Sequence, residues 1–208
     1  MMEEESILDS WKPQTRLGQM VKEGYITSID EIFQNCYTIK EAEIVDFLVP
    51  NLQEEVIDIN LVQKQTDAGE RSQFKTTILI GAPGYIGIGE GKNQEIGPAI
   101  RATISHAKLN LIPIRRGCGS WECSCQDPHS IPFKVVGKSG SVRIELRPAP
   151  RGVGLVAAKT PSIVLQLAGI QDVWTRTKGH TKATLNFAKA TYNALRNTYK
   201  IMYPKEDW

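Results

Sequence analysis

Glycine occupies every second position between 87 and 91 in the run YIGIGEGKN, residues 85–93. A strand with that spacing is nearly bare on one face, and another backbone can approach it closely. The segment before it supplies a partner. Phe74, Thr76, Ile78 and Ile80 alternate with Lys75, Thr77 and Leu79, a period of two, and Gly81 to Gly84 turns the chain. A helix follows. It starts between Asn93 and Gly97, because Pro98 is tolerated only in a first turn. Ile96, Ile100, Ile104, Ala107 and Leu111 are expected along its inner side, with Arg101 and Lys108 on the other. Residues 74–116 thus read as a thin sheet backed by a helix with cations facing out, a shape suited to a phosphate backbone.

Two nucleotide motifs fail at this stretch. A phosphate-binding loop of the form G-x-x-x-x-G-K-[ST] would need glycine where Ile86 stands and a hydroxyl where Asn93 stands. A dinucleotide fingerprint would need its third glycine at Lys92.

The charge is segregated. The 208-residue chain has a net charge of only +2, but residues 1–60 carry 4 Lys/Arg against 13 Asp/Glu, net −9, and residues 61–208 carry 21 against 10, net +11. A basic body with an acidic extension points to a nucleic-acid partner, with the acidic part facing protein or solvent. No apolar run reaches the ~18 residues of a membrane span, and the acidic start is the reverse of a secretory signal. A cytosolic protein without a membrane partner is expected.

Elsewhere, short helices are predicted around Arg16–Val21 and Ser28–Phe33, and a third over Glu41–Val49 ending at Pro50. Glu54–Gln65 is a β-branched strand and Thr66–Glu70 a turn, with Gly69 at a positive φ. A hairpin of Ile131–Gly137 and Ser141–Arg147 turns about Gly137–Gly140, with Val142, Ile144 and Leu146 inward and Arg143, Glu145 and Arg147 outward. The segment PAPRGVGL, 148–155, is rigid and glycine-rich. Thr160 reads as the cap of a helix with Pro161 first and Gly169 last. Ile170–Trp174 reads as a strand. A final helix, Lys182–Lys200, is expected to bury Leu185, Ala188, Tyr192, Leu195 and Tyr199, with Lys182, Lys189 and Arg196 on its solvated side.

Three of the four cysteines and one histidine fall in the pattern C-x4-C-x-C-x3-H: Cys118, Cys123, Cys125 and His129. Clustered Cys with His is the ligand set of a structural zinc site, and a reducing cytosol disfavours disulfides. The C-x-C step is not the usual knuckle spacing, so packed thiols in a tight loop are the other reading. Zinc here would stitch two domains together.

Ordered motifs along the chain carry a resemblance. WKPQTRLG (11–18), LVQKQTDAG (61–69), AIR (99–101), AKLN (107–110), RRG (115–117), PHSIPF (128–133), PAPRG (148–152), AGIQD (168–172) and NFAKAT (186–191) resemble the universal small-subunit ribosomal protein five family in its archaeal and eukaryotic branch. GCGSWECSC at 117–125 looks archaeal.

The resemblance implies an α+β protein of two domains. An acidic, partly helical extension spans 1–53. A βββα domain like double-stranded-RNA-binding folds spans 54–117. A Cys/His-rich connector spans 118–130, and a C-terminal β-α-β domain, of a fold also seen in small-molecule kinases, spans 131–208. It further implies a structural constituent of the small ribosomal subunit in the cytoplasm. Such a protein binds small-subunit rRNA near the channel where messenger RNA enters and near the decoding region. It neighbours small-subunit proteins three, four, eight and, in this branch, two. It supports assembly, messenger handling and accuracy, and the turn at Thr66–Arg71 reaches rRNA.

That role needs no cofactor beyond the candidate zinc. The candidate phosphate contacts are Lys64, Arg71, Lys75, Lys92, Arg101, Lys108, Arg115, Arg116, Arg147, Arg151 and Lys178. Arginine is favoured because its fork matches phosphate. Asp67 and Glu70 in the turn would repel it. Two alternatives stand: a kinase-like enzyme, which would bind ATP alone, and a free RNA chaperone, which would be found mostly unassembled. Against an enzyme, His106, His129 and His180 lie far apart with no acid partner evident in sequence.

Overall fold

The computed structural model describes residues 11–125 and 127–200. Three short helices lead: α1 (Arg16–Lys22), α2 (Ile29–Gln34) and α3 (Glu43–Leu48). Thr15 and Ser28 cap the first two through their hydroxyls. These helices are packed against the body. Val21, Ile32, Ile44 and Val45 are buried with Trp11 against Leu111, and Tyr85 joins the edge. Phe33 stacks on Tyr85 at 6.2 Å, and the Tyr85 hydroxyl donates to Asp30 at 2.7 Å.

A four-stranded antiparallel sheet follows, in sequence order: β1 (Gln53–Thr66), β2 (Gly69–Ala82), β3 (Tyr85–Asn93) and, after helix α4 (Ile96–Leu109), β4 (Leu111–Pro113). Strands β1 and β2 form a hairpin of 14 residues a side, with Gly69 at φ 105° in its turn. A bulge at Ile57 shifts the register between Val56 and Asp58.

The face of α4 that meets the sheet differs from the expected stripe. Ala99, Thr103 and Ala107 are buried; Ile96 is exposed, and Ile100 and Ile104 are partly buried. The bare strand is the reason. A Cβ on Gly89 would meet the carbonyl of Thr103, and one on Gly87 the carbonyl of Ala107. The backbones approach so closely that only small side chains fit between them, and the isoleucines flank the contact.

The second sheet has order β5-β6-β8-β7, from β5 (Val135–Ser139), β6 (Val142–Pro148), β7 (Leu155–Val156) and β8 (Val173–Lys178). Helix α5 (Lys159–Leu167) links β7 to β8, and these pair in parallel, giving a β-α-β unit. Helix α6 (Thr184–Asn197) continues into a 3₁₀ turn, Thr198–Lys200. It buries Phe187, Ala188, Ala190, Thr191, Ala194 and Leu195, while Leu185, Tyr192 and Tyr199 lie at its margin. The tight glycine contact recurs here, since a Cβ on Gly137 would strike the carbonyl of Ala190.

Several boundaries differ from expectation, among them the first strand of the second hairpin, which runs on to Ser139, and the last helix, which starts at Thr184. Helix α5 is preceded by Ala158, not capped by Thr160, although Pro161 still lies in its first turn. Ile131 is buried but precedes the strand, which starts at Val135. The strand expected at Ile170–Trp174 begins at Val173. Gln171 and Asp172 donate their backbone N–H groups to the His129 carbonyl instead of to a ladder.

The two sheets share one core. Leu79, Ile86, Ile88 and Ile114 pack with Ile131, Val142, Ile144, Leu165, Phe187 and Leu195. Polar ties cross it as well. Tyr192 donates to the Asn110 carbonyl at 2.7 Å, and Thr184 to Asp58 at 2.8 Å. Burial pushes the Tyr192 phenol up to about 12.

Candidate nucleic-acid interface and cysteine–histidine cluster

Register gathers four cations on one face of the first sheet. Lys64 lies opposite Arg71, and Lys75 opposite Lys92. Directly opposed residues point to the same side, and so do residues two and four apart along a strand. All four therefore share the face away from α4, near the long hairpin's outer half. Glu70 lies opposite Gln65 and accepts from it at 2.8 Å, so it points to the other face. The repulsion expected from Glu70 is thus kept off the cationic side. Lys75 is partly engaged, since it pairs with Glu90 at 3.0 Å, as Lys189 does from α6. Partial burial works against ionising Glu90, but hydrogen bonds from the two lysines hold its carboxyl below the usual range.

The second sheet carries a basic face that sequence reading did not assemble. Its inner residues, Val142, Ile144, Leu146 and Val173, are covered by α5 and α6. Its outer face carries an exposed row across three strands, with Lys138 opposite Arg143 and Arg143 opposite Lys178. Arg176 lies one pair further, opposite Glu145. Lys134 and Arg147 donate to Glu145 and hold its carboxyl low. Among the candidates, Lys178 belongs to this row and Arg147 is engaged beside it. Arg143 was legible as outward-facing, but its neighbours at 138 and 178 follow only from strand pairing.

The remaining cations are dispersed. Arg101 is exposed on the opposite side of the sheet. Lys108 is mostly covered and pairs with Asp46 at 2.7 Å and Glu54 at 3.9 Å within the chain. The Arg115 guanidinium lies 5.1 Å from the Tyr199 ring centroid, and Arg116 donates to the Gly169 carbonyl at 3.4 Å. Both border a groove with Tyr85, Cys118 and Tyr199. Arg151 is exposed, although it pairs with Asp127 at 2.9 Å.

The connector brings its four ligand-type side chains together. The three sulfurs and one ring nitrogen of Cys118, Cys123, Cys125 and His129 all lie within 4.8 Å of one another. The three sulfurs are free thiols. Cys123 Sγ lies 2.9 Å from Cys125 Sγ and 3.8 Å from His129 Nε2, and Cys125 Sγ lies 3.6 Å from Cys118 Sγ. Sharing a proton splits the adjacent pair: the Cys125 hydrogen bond lowers the Cys123 thiol to about 6, and Cys125 is pushed up to about 11. His129 has the acid partner that sequence could not supply. Its Nδ1 donates to Asp172, 43 residues on, at 2.8 Å.

A family model described as ribosomal protein S5, N-terminal domain, matches residues 52–115, and one described as ribosomal protein S5, C-terminal domain, matches residues 137–206. The chain belongs to the ribosomal protein S5 family. Curated relatives named small ribosomal subunit protein uS5 agree. That of Pyrobaculum islandicum is 60% identical over 193 residues, 92% of this chain and 96% of the relative. That of Aeropyrum pernix is 56% identical over 202 residues, covering 97% and 92%. That of Thermofilum pendens is 55% identical over 199 residues, covering 95% and 98%. These relatives are archaeal, in line with the branch the motifs resemble. The ribosomal protein S5 family is structural and not enzymatic, which removes the kinase-like alternative. No helix among the described residues is long and apolar enough to cross a membrane.

Proposed function

We propose that the chain is a structural constituent of the small ribosomal subunit in the cytoplasm and binds small-subunit rRNA. The observation that carries the reading is strand register. It aligns Lys64, Arg71, Lys75 and Lys92 on one sheet face, and Lys138, Arg143 and Lys178 on another. The relatives' name supplies the assembly.

Such faces neutralise phosphates and release counterions, which supplies much of the affinity. Double-stranded RNA hides its base edges in a deep groove, so shape and backbone contacts dominate. The long hairpin extends Lys64 and Arg71 beyond the packed part of the sheet, where they reach toward rRNA near the decoding region and the channel where messenger enters. Arg115, Arg116 and Arg151 add bidentate contacts. Small-subunit proteins three, four, eight and two are the proposed neighbours, and assembly, messenger handling and accuracy the proposed consequences.

Quantitative mass spectrometry of gradient-purified, salt-washed small subunits tests the assignment. One copy per subunit is expected; absence from the washed particle overturns it. Variants of the turn Thr66–Arg71 in reconstituted translation test the decoding role, with changed misincorporation expected.

A further inference from the structure

We propose that Cys118, Cys123, Cys125 and His129 bind one zinc ion, with Asp172 positioning the histidine, and that this site fixes the loop carrying Arg151. Three observations carry the proposal independently of RNA binding. The first is convergence. A tetrahedral zinc with bonds of ~2.3 Å to sulfur and ~2.0–2.1 Å to nitrogen has edges of about 3.8 Å between sulfurs and about 3.6 Å from sulfur to nitrogen. The Cys118–Cys125 sulfur separation is 3.6 Å and the Cys123 Sγ to His129 Nε2 separation 3.8 Å. Of these three edges only Cys123–Cys125, at 2.9 Å, is short, by about 0.9 Å, and no pair in the cluster is further apart than 4.8 Å.

The second is the orientation of His129, which is 4% exposed. The Asp172 carboxylate takes the backbone N–H groups of Gly152 and Gly154 on Oδ1, at 3.0 and 2.8 Å, and His129 Nδ1 on Oδ2. A carboxylate only accepts, so the ring proton sits on Nδ1 and Nε2 turns its lone pair to the sulfurs. This carboxylate–histidine arrangement is the outer-shell support that metal-binding histidines have. The third is the number of sulfurs that converge, all three of them free thiols. A nucleophilic Cys–His–Asp relay would use one sulfur, whereas here three converge.

Zinc takes the three sulfurs as thiolates, so each thiol proton still held is released to solvent, and the ZnS3N complex carries a net charge of −1. The site closes the 117–130 segment, already bridged between Gly117 and Ser130, and holds it to the 149–154 loop. Arg151 is thereby presented on a fixed backbone.

The test is a competition titration of the full reduced chain with zinc against a chromophoric chelator at neutral pH, followed by cobalt substitution. One tightly held zinc per chain and the intense visible bands of a tetrahedral thiolate–cobalt centre are expected. Cys123→Ser and Cys125→Ser should each weaken zinc by at least ~100-fold, and Asp172→Asn by ~10–100-fold, while Cys36→Ser, at an exposed thiol outside the cluster, leaves affinity unchanged. Circular dichroism of each variant establishes that it is folded. A folded wild-type chain that takes up no stoichiometric zinc overturns the proposal. So does a folded Cys123→Ser or Cys125→Ser chain with wild-type affinity.

Discussion

Thr76 and Thr103 share a 2.6 Å hydroxyl–hydroxyl hydrogen bond, and both side chains are fully buried between sheet and helix. Thr103 donates to the Ala99 carbonyl at 2.7 Å, so Thr76 is the donor to Thr103. Thr103→Val removes that acceptor and leaves Thr76 with only the weaker 3.3 Å contact to Ala99. It should destabilise the chain by ~1–3 kcal/mol. Adding Thr76→Val should recover much of the loss, because two apolar groups of the same shape leave nothing unsatisfied. Urea unfolding of the two single variants and the double variant measures the coupling; strictly additive costs would show the pair is not linked.

Glycine positions differ sharply in what they tolerate. Gly89→Ala drives a Cβ into the backbone of Thr103 and Ala107, and should cost ~1–3 kcal/mol or more. Gly97 lies in the first turn of α4, and a Cβ there would meet nothing within 4 Å, so Gly97→Ala should stabilise by up to ~1 kcal/mol. Opposite shifts in melting temperature are expected from the same chemical change.

Glu41 ties down the amino-terminal segment. Burial works against its charge, but donors from Thr15, Gln14 and Trp11 prevail and hold its carboxyl below the usual range. A lowered folded value contributes stability above the unfolded value of about 4.3, and that stability is lost as pH falls through the folded value. Glu41→Gln should therefore be less stable than wild type at pH 7. The gap should narrow as pH falls toward ~3. Urea titrations at both pH values read the difference.

Charge on the hairpin tip should act by face. Replacing Lys64 and Arg71 by Gln should lower the log–log salt slope of rRNA binding by ~1–2. Glu70→Gln, on the opposite face, should leave that slope unchanged. On the second sheet, replacing Lys138, Arg143 and Lys178 by Ala should lower it by ~2–3. Filter binding across a salt series checks all three; equal effects from Glu70 and Lys64 would break the assignment of faces.

Much of the fold was legible because local pattern fixed it. The alternation at 74–80, Pro98 in a first turn and Gly69 at a positive φ act over a few residues, and the elements formed where these signals lie. The inner face of α4 departs from its hydrophobic pattern for a physical reason. Hydrophobicity ranks Ile96, Ile100 and Ile104 above Ala99 and Thr103, but the glycine strand selects for size, and helix and sheet come too close for isoleucine between them.

By itself the sequence determined the strand and helix content, the ordered motifs of the family, and the grouping of three cysteines with a histidine inside twelve positions. Tertiary structure alone decided which charges act together and what supports His129. Lys138, Arg143 and Lys178 become neighbours through pairing of three strands, and Lys108 is withdrawn from solvent by Asp46 on a different helix. Asp172 reaches His129 across 43 residues because the 168–172 turn folds back on the connector. Residue spacing encodes periodicity within one element. Contacts between elements depend on register and close packing, which arise only once the chain has collapsed around its shared core.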